Sequence, residues 1–387
     1  MSSTRSNLGI RLKADSVETG GRRKTATRFV FWSAYSNGIA TPSSKHVAMT
    51  RPHRLSCLAS ALILLTVGLP RPGDAQSPDS TVLNRTGRVA HTLIDETSGI
   101  VRSRWQENVW WVHNDSGDRP RLFAIDSTGA VHVAPWHAGD YAAGAEADSS
   151  ANPPWPGVQL GAAAHIDYED IAVEDSTLYL GDIGNNGNAR RDLGIYVIRE
   201  PFQYDRRTRP VKHLPIQYPD QETVPAREWD FDAESLFVDN GTLYVLTKHR
   251  KGQQINVSQP GTKLYRLDTE HTHRVNTLTL VDRHDTIPPP TAAALSPSGD
   301  RLAVLGYASV WLFPRPERKR GSSPGLRPED ETHWLSTKPR RIALPADQSQ
   351  QAEAVTWDDP YTLRITNEQR DVWTLSLKTK ARSNGRR

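Results

Sequence analysis

Short apolar runs with period-two alternation dominate the chain beyond residue 85, and turn residues separate them. Gly, Asn, Asp and Pro stand between these runs, whereas helical periodicity is nearly absent. One phrase recurs in this region: an acidic residue, small or polar positions, and then an apolar stretch. Its copies begin at Glu96, Glu169, Glu234 and Glu353, and Thr291–Leu295 is a degenerate copy without the acid. The pattern predicts an all-β domain built from repeated units.

Two further predicted strands follow each copy of the phrase. The second strands are Val109–His113, Thr177–Leu180, Thr242–Thr247, Arg301–Leu305 and Thr362–Thr366. The third strands are Arg121–Ile125, Gly194–Ile198, Lys263–Leu267, Val310–Phe313 and Val372–Leu377. Four-stranded units repeated radially form a β-propeller. The repeat predicts five blades, with six as the alternative count and an irregular β-sandwich as the alternative fold.

The two ends of this region predict how the ring closes. Gly87–Ile94 is predicted to be a strand that does not belong to the first unit, and the last unit has no predicted fourth strand after Leu377. If the first strand completes the last blade, the exposed sheet edges disappear. We therefore expect a linker at 76–86, a propeller domain over 87–377 and a basic disordered tail at 378–387.

Charge and cysteine content narrow the function. Residues 1–75, called the head below, carry a net charge of +8, and the rest of the chain, called the body, carries −4. The high pI of the whole chain, about 9.1, is therefore due to the head. A basic pI would otherwise favour nucleic-acid binding, which the acidic body excludes. The single cysteine, Cys57, excludes a disulfide framework and a cysteine-based zinc site.

The head carries the features of an export signal. Arg51 and Arg54 form a positive segment, Leu58–Leu69 is apolar, and small residues follow it. The apolar run is too short to cross a bilayer, so no stable membrane span is expected. We predict a Sec-type signal peptide over 49–75 and a secreted or periplasmic bacterial protein. Residues 1–48 are then an over-extended gene start or disordered, with a very long signal as the alternative.

Propeller topology would bring polar side chains from different units to one mouth of the central channel. The innermost strands begin at that face, and the loops between second and third strands return to it. Carboxylate and amide oxygens suit Ca²⁺, and a cation would relieve the repulsion within such a ring of carboxylates. The predicted metal ligands are Glu96, Asp115, Asp167, Glu169, Asp182, Asp232, Glu234 and Glu353.

Other residues of the same loops are predicted to contact a ligand. They are Asn114, Asp115, Arg190, Lys248, Tyr307 and Asn367. Two alternatives stay open for these motifs. The Asn- and Asp-rich loops are also ordinary turn sequences, and the repeated glutamate can instead bond backbone N–H groups of the next blade as a structural latch.

Five motifs stand in a fixed order along the domain. They are Asn-Asp-Ser-Gly-Asp (114–118), Asp-Tyr-Glu-Asp-Ile-Ala (167–172), Gly-Asp-Ile-Gly-Asn-Asn (181–186), Asp-Ala-Glu-Ser-Leu (232–236) and Thr-Ala-Ala-Ala-Leu-Ser-Pro-Ser-Gly-Asp (291–300). Together they resemble a family of secreted bacterial β-propeller proteins of unassigned function, similar to NHL-type and phytase-like propellers. The resemblance covers roughly 90–377 and implies a propeller fold and export. Tyr168 and Asn185 depart from the Trp and Asp common in that family, and the second change removes a carboxylate.

These observations predict a secreted monomeric binding module with a Ca²⁺-assisted polar face for an anionic or carbohydrate ligand, small or polymeric. The alternative is a metal-dependent hydrolase, a phosphoesterase or lactonase, with Glu169, Asp182 or His249 as general base. A third interpretation is a protein-interaction scaffold that uses the long loops at 134–165 and 314–341. The sequence leaves open whether the chain is an enzyme.

Overall fold

The computed structural model describes most of the predicted propeller domain. The described residues are 83–137, 154–252, 254–317 and 333–377. The predicted gene start at 1–48, the signal peptide at 49–75, most of the linker and the tail at 378–387 lie outside them. Among the described residues, no helix has the length and apolar character needed to cross a bilayer.

Nearly all regular structure in the described residues is β, arranged in five sheets. Blade 1 consists, from the inside outward, of β2 (Gly99–Arg102), β3 (Trp110–His113), β4 (Arg121–Ile125), β5 (Val158–Leu160) and β9 (Arg207–Thr208). Blade 2 consists of β6 (Tyr168–Glu174), β7 (Thr177–Asp182), β8 (Gly194–Arg199), β10 (Pro210–Gln217) and β15 (Asn276–Thr277). Blade 3 consists of β11 (Trp229–Asp239), β12 (Thr242–Arg250), β14 (Thr262–Arg266) and β16 (Thr279–His284), with β13 (Ser258–Gln259) added to β12.

The last two blades follow the same plan. Blade 4 consists of β17 (Pro290–Leu295), β18 (Arg301–Gly306), β19 (Ser309–Pro314) and β20 (Arg340–Ala343). Blade 5 consists of β21 (Ala352–Asp359), β22 (Thr362–Asn367), β23 (Asp371–Ser376) and β1 (Leu83–Arg88). A 3₁₀ turn at Trp334–Ser336 and a single helical turn α1 (Ala346–Ser349) precede blade 5. The long stretches at 134–165 and 314–341 therefore each lead into a fourth strand, β5 or β20.

The five sheets form a closed ring. Each inner strand contacts the inner strands of the blades before and after it, and β2 of blade 1 contacts β21 of blade 5. Five apolar clusters fill the ring, one at each interface between neighbouring blades. Large buried aromatic rings such as Trp111 and Trp357 contribute to them. Burial of this apolar surface supplies the main stabilising force, and the predicted five-bladed propeller is confirmed.

The strand that closes the ring comes from the amino-terminal side of the domain, as predicted, but with different bounds. β1 covers Leu83–Arg88 and pairs antiparallel with β23. The predicted strand Gly87–Ile94 overlaps it by two residues. Val89 donates its N–H to Arg370 O at 2.8 Å and then the chain leaves the ladder. The prediction followed the apolar residues Val89 and Ile94, which pack between blades 5 and 1 rather than in the strand.

Four inner strands share a β-bulge, at the second residue of β6, β17 and β21 and in the middle of β11. Their ladder with the second strand skips one residue, and a bulge of this kind re-aims the side chain of the extra residue. The skipped residues are Glu169, Glu234, Thr291 and Glu353. The recurring phrase of the sequence is therefore the signature of a backbone irregularity at the mouth of the channel.

Ser98 holds the corresponding place in blade 1. It precedes the first ladder residue of β2 and donates its N–H to His113 O at 3.2 Å. Glu96 lies two positions earlier, outside the strand and exposed, so the alignment of Glu96 with the other glutamates is wrong by two residues. The hydroxyls of Ser98 and of the bulge residue Thr291 reach the next blade: Ser98 Oγ donates to Glu169 O at 2.9 Å, and Thr291 Oγ1 to Ala352 O at 2.8 Å.

A buried carboxylate closes the channel just inside the bulges. Asp170 has no exposed surface, and its Oδ2 accepts the N–H of Leu236 at 2.9 Å and of Ala293 at 3.2 Å. Blades 2, 3 and 4 are thus tied together by one side chain. The structural latch that was the alternative role of the repeated glutamate is formed here by its neighbour Asp170.

Candidate functional site

A cavity of about 180 Å³ opens at the mouth where the inner strands begin. All five blades contribute to it, and six carboxylates there face two basic side chains. Its lining residues are Glu96, Thr97, Ser98, Asp115, Glu169, Asn186, Glu234, Lys248, Arg250, Tyr307, Glu353 and Glu368. We call this the acidic mouth. The structure brings together seven of the predicted site residues here.

Two carboxylates of the acidic mouth and the neighbouring Asp167 lie close enough to share a cation. One oxygen each from Asp115, Asp167 and Glu169 lies within 4.8 Å of the others. Oxygens bound to one Ca²⁺ at 2.3–2.6 Å are separated by about 5 Å at most, so the spacing fits. Glu169 is only 7% exposed, and its carboxylate has no hydrogen-bond partner among the described residues. A buried carboxylate without a partner is costly unless a cation or a proton compensates it.

Local structure fixes these three groups from three directions. Asp115 follows β3, in a turn held by Asn114, whose side-chain amide donates to Leu93 O at 2.8 Å and accepts Asp95 N–H at 3.2 Å. Asp167 precedes β6, and Glu169 occupies the bulge of that strand. The cluster therefore joins a loop of blade 1 to the inner strand of blade 2.

Gly184 permits the approach of two of these carboxylates. A Cβ at this position would lie 2.1 Å from Glu169 Oε1 and 2.4 Å from Asp167 Oδ2. Both oxygens thus rest against the backbone of the Gly181–Asn186 turn. A side chain of any size at this position would displace them.

Lys248 is engaged by its neighbours rather than free for a ligand. Its Nζ donates to Glu234 Oε1 and Oε2 at 2.5 and 2.6 Å and to Tyr307 OH at 2.8 Å. Burial opposes the charge, but the Glu234 carboxylate raises the pKa of Lys248 above its ordinary value. The ion pair occupies Glu234, one of the predicted metal ligands, and neutralises the one lysine of the acidic mouth.

Arg250 forms a second compensated group. Its Nε donates to Asp232 Oδ2 at 2.7 Å, and its guanidinium also contacts Glu234 and Asn186. Asp232 is fully buried and accepts Asn185 N–H at 2.7 Å through its other oxygen. Asp232 therefore serves to hold the turn of blade 2 against blade 3 and does not face the cavity.

Four other predicted site residues are tied into loop structure. Asp182 accepts the N–H of Asp167 at 3.0 Å and an Arg190 N–H at 2.8 Å. Arg190 also donates to Gly184 O at 2.7 Å. Asn114 holds the turn described above, and Asn367 accepts Asp371 N–H at 2.8 Å. For these residues the turn explanation accounts for the contacts that the structure shows.

His249 lies on the other face of β12 from Lys248 and Arg250. Strand side chains alternate between faces, so the middle residue of this run points away from the acidic mouth. Its Nδ1 lies 3.7 Å from Asp230 Oδ1, and its Nε2 is buried without a partner among the described residues. Burial lowers the pKa of His249. The structure does not bring Glu169, Asp182 and His249 around one cavity.

The carboxylates of the acidic mouth hold protons more tightly than free acids. Burial, followed by the repulsion of neighbouring carboxylates, raises the pKa of Asp167 to about 7 and that of Glu169 well above its ordinary value. The pKa of Glu353 is raised for the same two reasons. Burial also raises the pKa of Glu234 to about 7, against the opposing effect of Lys248. These carboxyl groups therefore keep their protons to a higher pH than free acids do, and a bound cation would compete with those protons.

The raised pKa values predict how the stability of the metal-free protein depends on pH. The carboxyl groups with raised pKa values, Asp167, Glu169, Asp170, Glu234 and Glu353, bind more protons in the folded state than in the unfolded chain between the ordinary carboxylate pKa, near 4, and about 7. The buried His91 and His113, whose pKa values burial lowers to about 4, act in the opposite direction over this window, but the carboxyl groups outnumber them. The free energy of unfolding should therefore fall as the pH rises through this window. Urea unfolding in the presence of a chelator, at pH 5 and pH 7.5, measures the effect. Greater stability at pH 7.5 would contradict it.

Sequence reasoning did not select several residues that shape this site. Gly184 and Asp170 stand inside quoted motifs, but their importance depends on neighbours from other turns and blades. Ser98 could have been found by aligning the phrase on its strand rather than on its acid. Asn186 and Arg250 carried no separate signal.

No protein-family model matches the chain, and no curated protein matches it. Among solved structures, it is similar to a glucose dehydrogenase, with 10% identity and a TM-score of 0.39 over 77% of this chain and 100% of that one. It is also similar to the PQQ-bound aldose sugar dehydrogenase of Streptomyces coelicolor, with 12% identity and a TM-score of 0.38 over 77% and 99%. It is similar as well to the soluble aldose sugar dehydrogenase of Escherichia coli in its apo form, with 9% identity and a TM-score of 0.38 over 78% of this chain and 100% of that one. At these scores the likenesses say nothing about the chemistry of the acidic mouth.

Proposed function

We propose that the chain is an exported binding module whose acidic mouth holds a Ca²⁺ ion and, through it, a hydroxyl-bearing carbohydrate ligand. The observation that carries the proposal is the cluster of Asp115, Asp167 and Glu169, with oxygens within 4.8 Å of one another and a largely buried Glu169 whose carboxylate faces the cavity. Three carboxylates leave coordination positions for ligand oxygens, because Ca²⁺ takes six to eight.

The surrounding charges favour a neutral ligand over an anionic one. Lys248 and Arg250 are bonded to carboxylates, and Arg190 is bonded to Asp182. Six carboxylates line the cavity, so an anion would meet repulsion that only the cation offsets. Sugar hydroxyls can both coordinate Ca²⁺ and donate hydrogen bonds to Glu353 or Glu368. We therefore narrow the ligand class to carbohydrates.

Calorimetric titration of the purified protein with Ca²⁺ tests the cation. We expect a dissociation constant of about 10⁻⁴–10⁻³ M, the range of extracellular modules whose ligands are incomplete without solvent or substrate. At ten times that concentration, Ca²⁺ should stabilise the fold by about 1.4 kcal/mol. If Ca²⁺ produces no heat of binding and no rise in Tm, the proposal is overturned.

An Asp115→Asn substitution should weaken Ca²⁺ binding by about tenfold, because it removes one of three negative ligands. Asp115 is partly exposed, so the fold should tolerate the change. Asp285→Asn, at an exposed position of another loop, is the matched control and should bind as the wild type does. Equal affinities for the two variants would exclude Asp115 as a ligand.

A further inference from the structure

Large aromatic side chains are exposed along the edge of blades 1 and 2, away from the acidic mouth. Trp105 is 51% exposed, Phe202 47% and Trp136 48%. Contiguous exposed apolar surface on a soluble domain marks an interaction site. The surface, called the aromatic–arginine edge below, consists of Trp105, Trp136, Phe202, Tyr204, Arg206 and Arg207.

Ring contacts make this edge continuous. The ring centroids of Trp105 and Phe202 are 6.4 Å apart at an interplanar angle of 31°, and those of Phe202 and Tyr204 are 5.4 Å apart. Two residues further along, the Arg206 guanidinium lies 4.0 Å from the centroid of Trp136. Two pairs of flat groups, Trp105 with Phe202 and Trp136 with Arg206, therefore lie on either side of Tyr204, in and beside the turn that Asp205 N–H closes on Phe202 O at 2.9 Å.

A buried polar network holds the Trp105 and Phe202 loops rigid. Gln106, only 8% exposed, donates to Glu200 Oε1 and to Pro201 O, both at 3.0 Å, and accepts Gln203 N–H at 2.9 Å. Ser103 Oγ accepts the N–H of Gln106 at 2.9 Å. The exposed rings are thus fixed before any partner arrives, which lowers the entropy cost of binding.

The charge of the edge complements an anionic partner. Arg206, Arg207 and Arg209 are exposed, and none forms an ion pair within the described part of the chain. Arg207 also lines a groove of about 530 Å³ next to Arg119 and Pro120. The nearby Asp205 is occupied by Phe202 N–H, which it accepts at 2.9 Å. Free guanidinium groups beside aromatic planes are suited to carboxylate or sulfate groups.

We propose that the aromatic–arginine edge binds an anionic polysaccharide, such as a uronic-acid polymer. Sugar rings would pack their C–H faces on Trp105 and Phe202, while acidic groups pair with Arg206 and Arg207. A polynucleotide is the competing polyanion, and retention in oligothymidylate gels distinguishes it from a polysaccharide. This site is independent of the Ca²⁺ proposal.

Affinity electrophoresis of the purified protein in gels containing polygalacturonate tests this site, with a chelator present to remove any role of Ca²⁺. The double substitution Trp105→Ala and Phe202→Ala should weaken retention by about tenfold, and Arg206→Ala severalfold at low salt. Tyr361→Ala, an exposed aromatic of equal exposure in blade 5, is the control and should be retained as the wild type is. Near-UV circular dichroism and Tm establish that each variant is folded.

Dextran and oligothymidylate gels separate the competing partners. We expect weak retention in dextran and none that depends on the two aromatic residues in oligothymidylate. Equal, variant-sensitive retention by oligothymidylate would overturn the polysaccharide assignment, as would equal retention by dextran. The assignment would also be overturned if polygalacturonate did not retain the wild type. It would be overturned as well if the wild type were a dimer and the double substitution made it monomeric, because the edge would then be a dimer interface.

Discussion

Replacing Asp170 by Ala is expected to lower the free energy of unfolding by about 3 kcal/mol. The substitution leaves the N–H groups of Leu236 and Ala293 unpaired in a fully buried place, and each such group costs about 1–3 kcal/mol. Relief of the buried carboxylate, whose pKa burial raises well above its ordinary value, offsets part of this loss. Because these two N–H groups belong to blades 3 and 4, the loss should affect the whole ring.

Urea unfolding of the metal-free protein measures this loss. Asp170→Asn keeps an acceptor oxygen for both N–H groups, so its free energy of unfolding should lie between those of the Ala variant and the wild type. Asp347→Ala, at an exposed position of α1, should change stability by less than about 0.5 kcal/mol. Wild-type stability in Asp170→Ala would show that the carboxylate does not hold the blades together.

Replacing Gly184 by Ala is expected to weaken Ca²⁺ binding by about a hundredfold while leaving the fold intact. The added Cβ would lie 2.1 Å from Glu169 Oε1 and 2.4 Å from Asp167 Oδ2. The obstructing atoms are the ends of side chains, so they can move aside at little cost to the backbone. Two of the three proposed ligands would then leave their positions, and displaced ligands lose affinity steeply.

Gly187→Ala provides a matched control within the same loop. No atom lies within 4 Å of a Cβ built at Gly187. Titration calorimetry should therefore give wild-type affinity for Gly187→Ala and a large loss for Gly184→Ala, with similar Tm values in the absence of Ca²⁺. If both variants bind Ca²⁺ normally, the ion does not use the Asp167 and Glu169 carboxylates.

The propeller fold could be predicted because each repeated unit has a pattern of strands and turns that is visible in short stretches of sequence. Alternating strands and turn residues recur in every unit, and the phrase marks the bulge that four inner strands contain. The phrase was defined by its acid, however, and in blade 1 the residue just before the first pair of the ladder is Ser98. An acid at Glu96, two residues earlier, therefore gave the wrong register.

The site was predicted less completely because composition does not show which charges neutralise each other. Lys248 and Arg190 looked available to a ligand, but each is bonded to a carboxylate from its own blade. Alternation along β12 already separates His249 from Lys248, and the sequence contains that information. The partners of Asp170, in contrast, come from two other blades and emerge only from the closed ring.

The pairing of β1 with β23 joins residues 286 positions apart, such as Arg85 and Asp371. Contacts so distant in sequence are slow to form, because loop-closure entropy is lost before they contribute. During synthesis, β1 is made first and stays without its partner until the ribosome has made β23, near the end of the domain. The ring can therefore close only after β23, almost the last part of the domain to be made, is available to pair with β1.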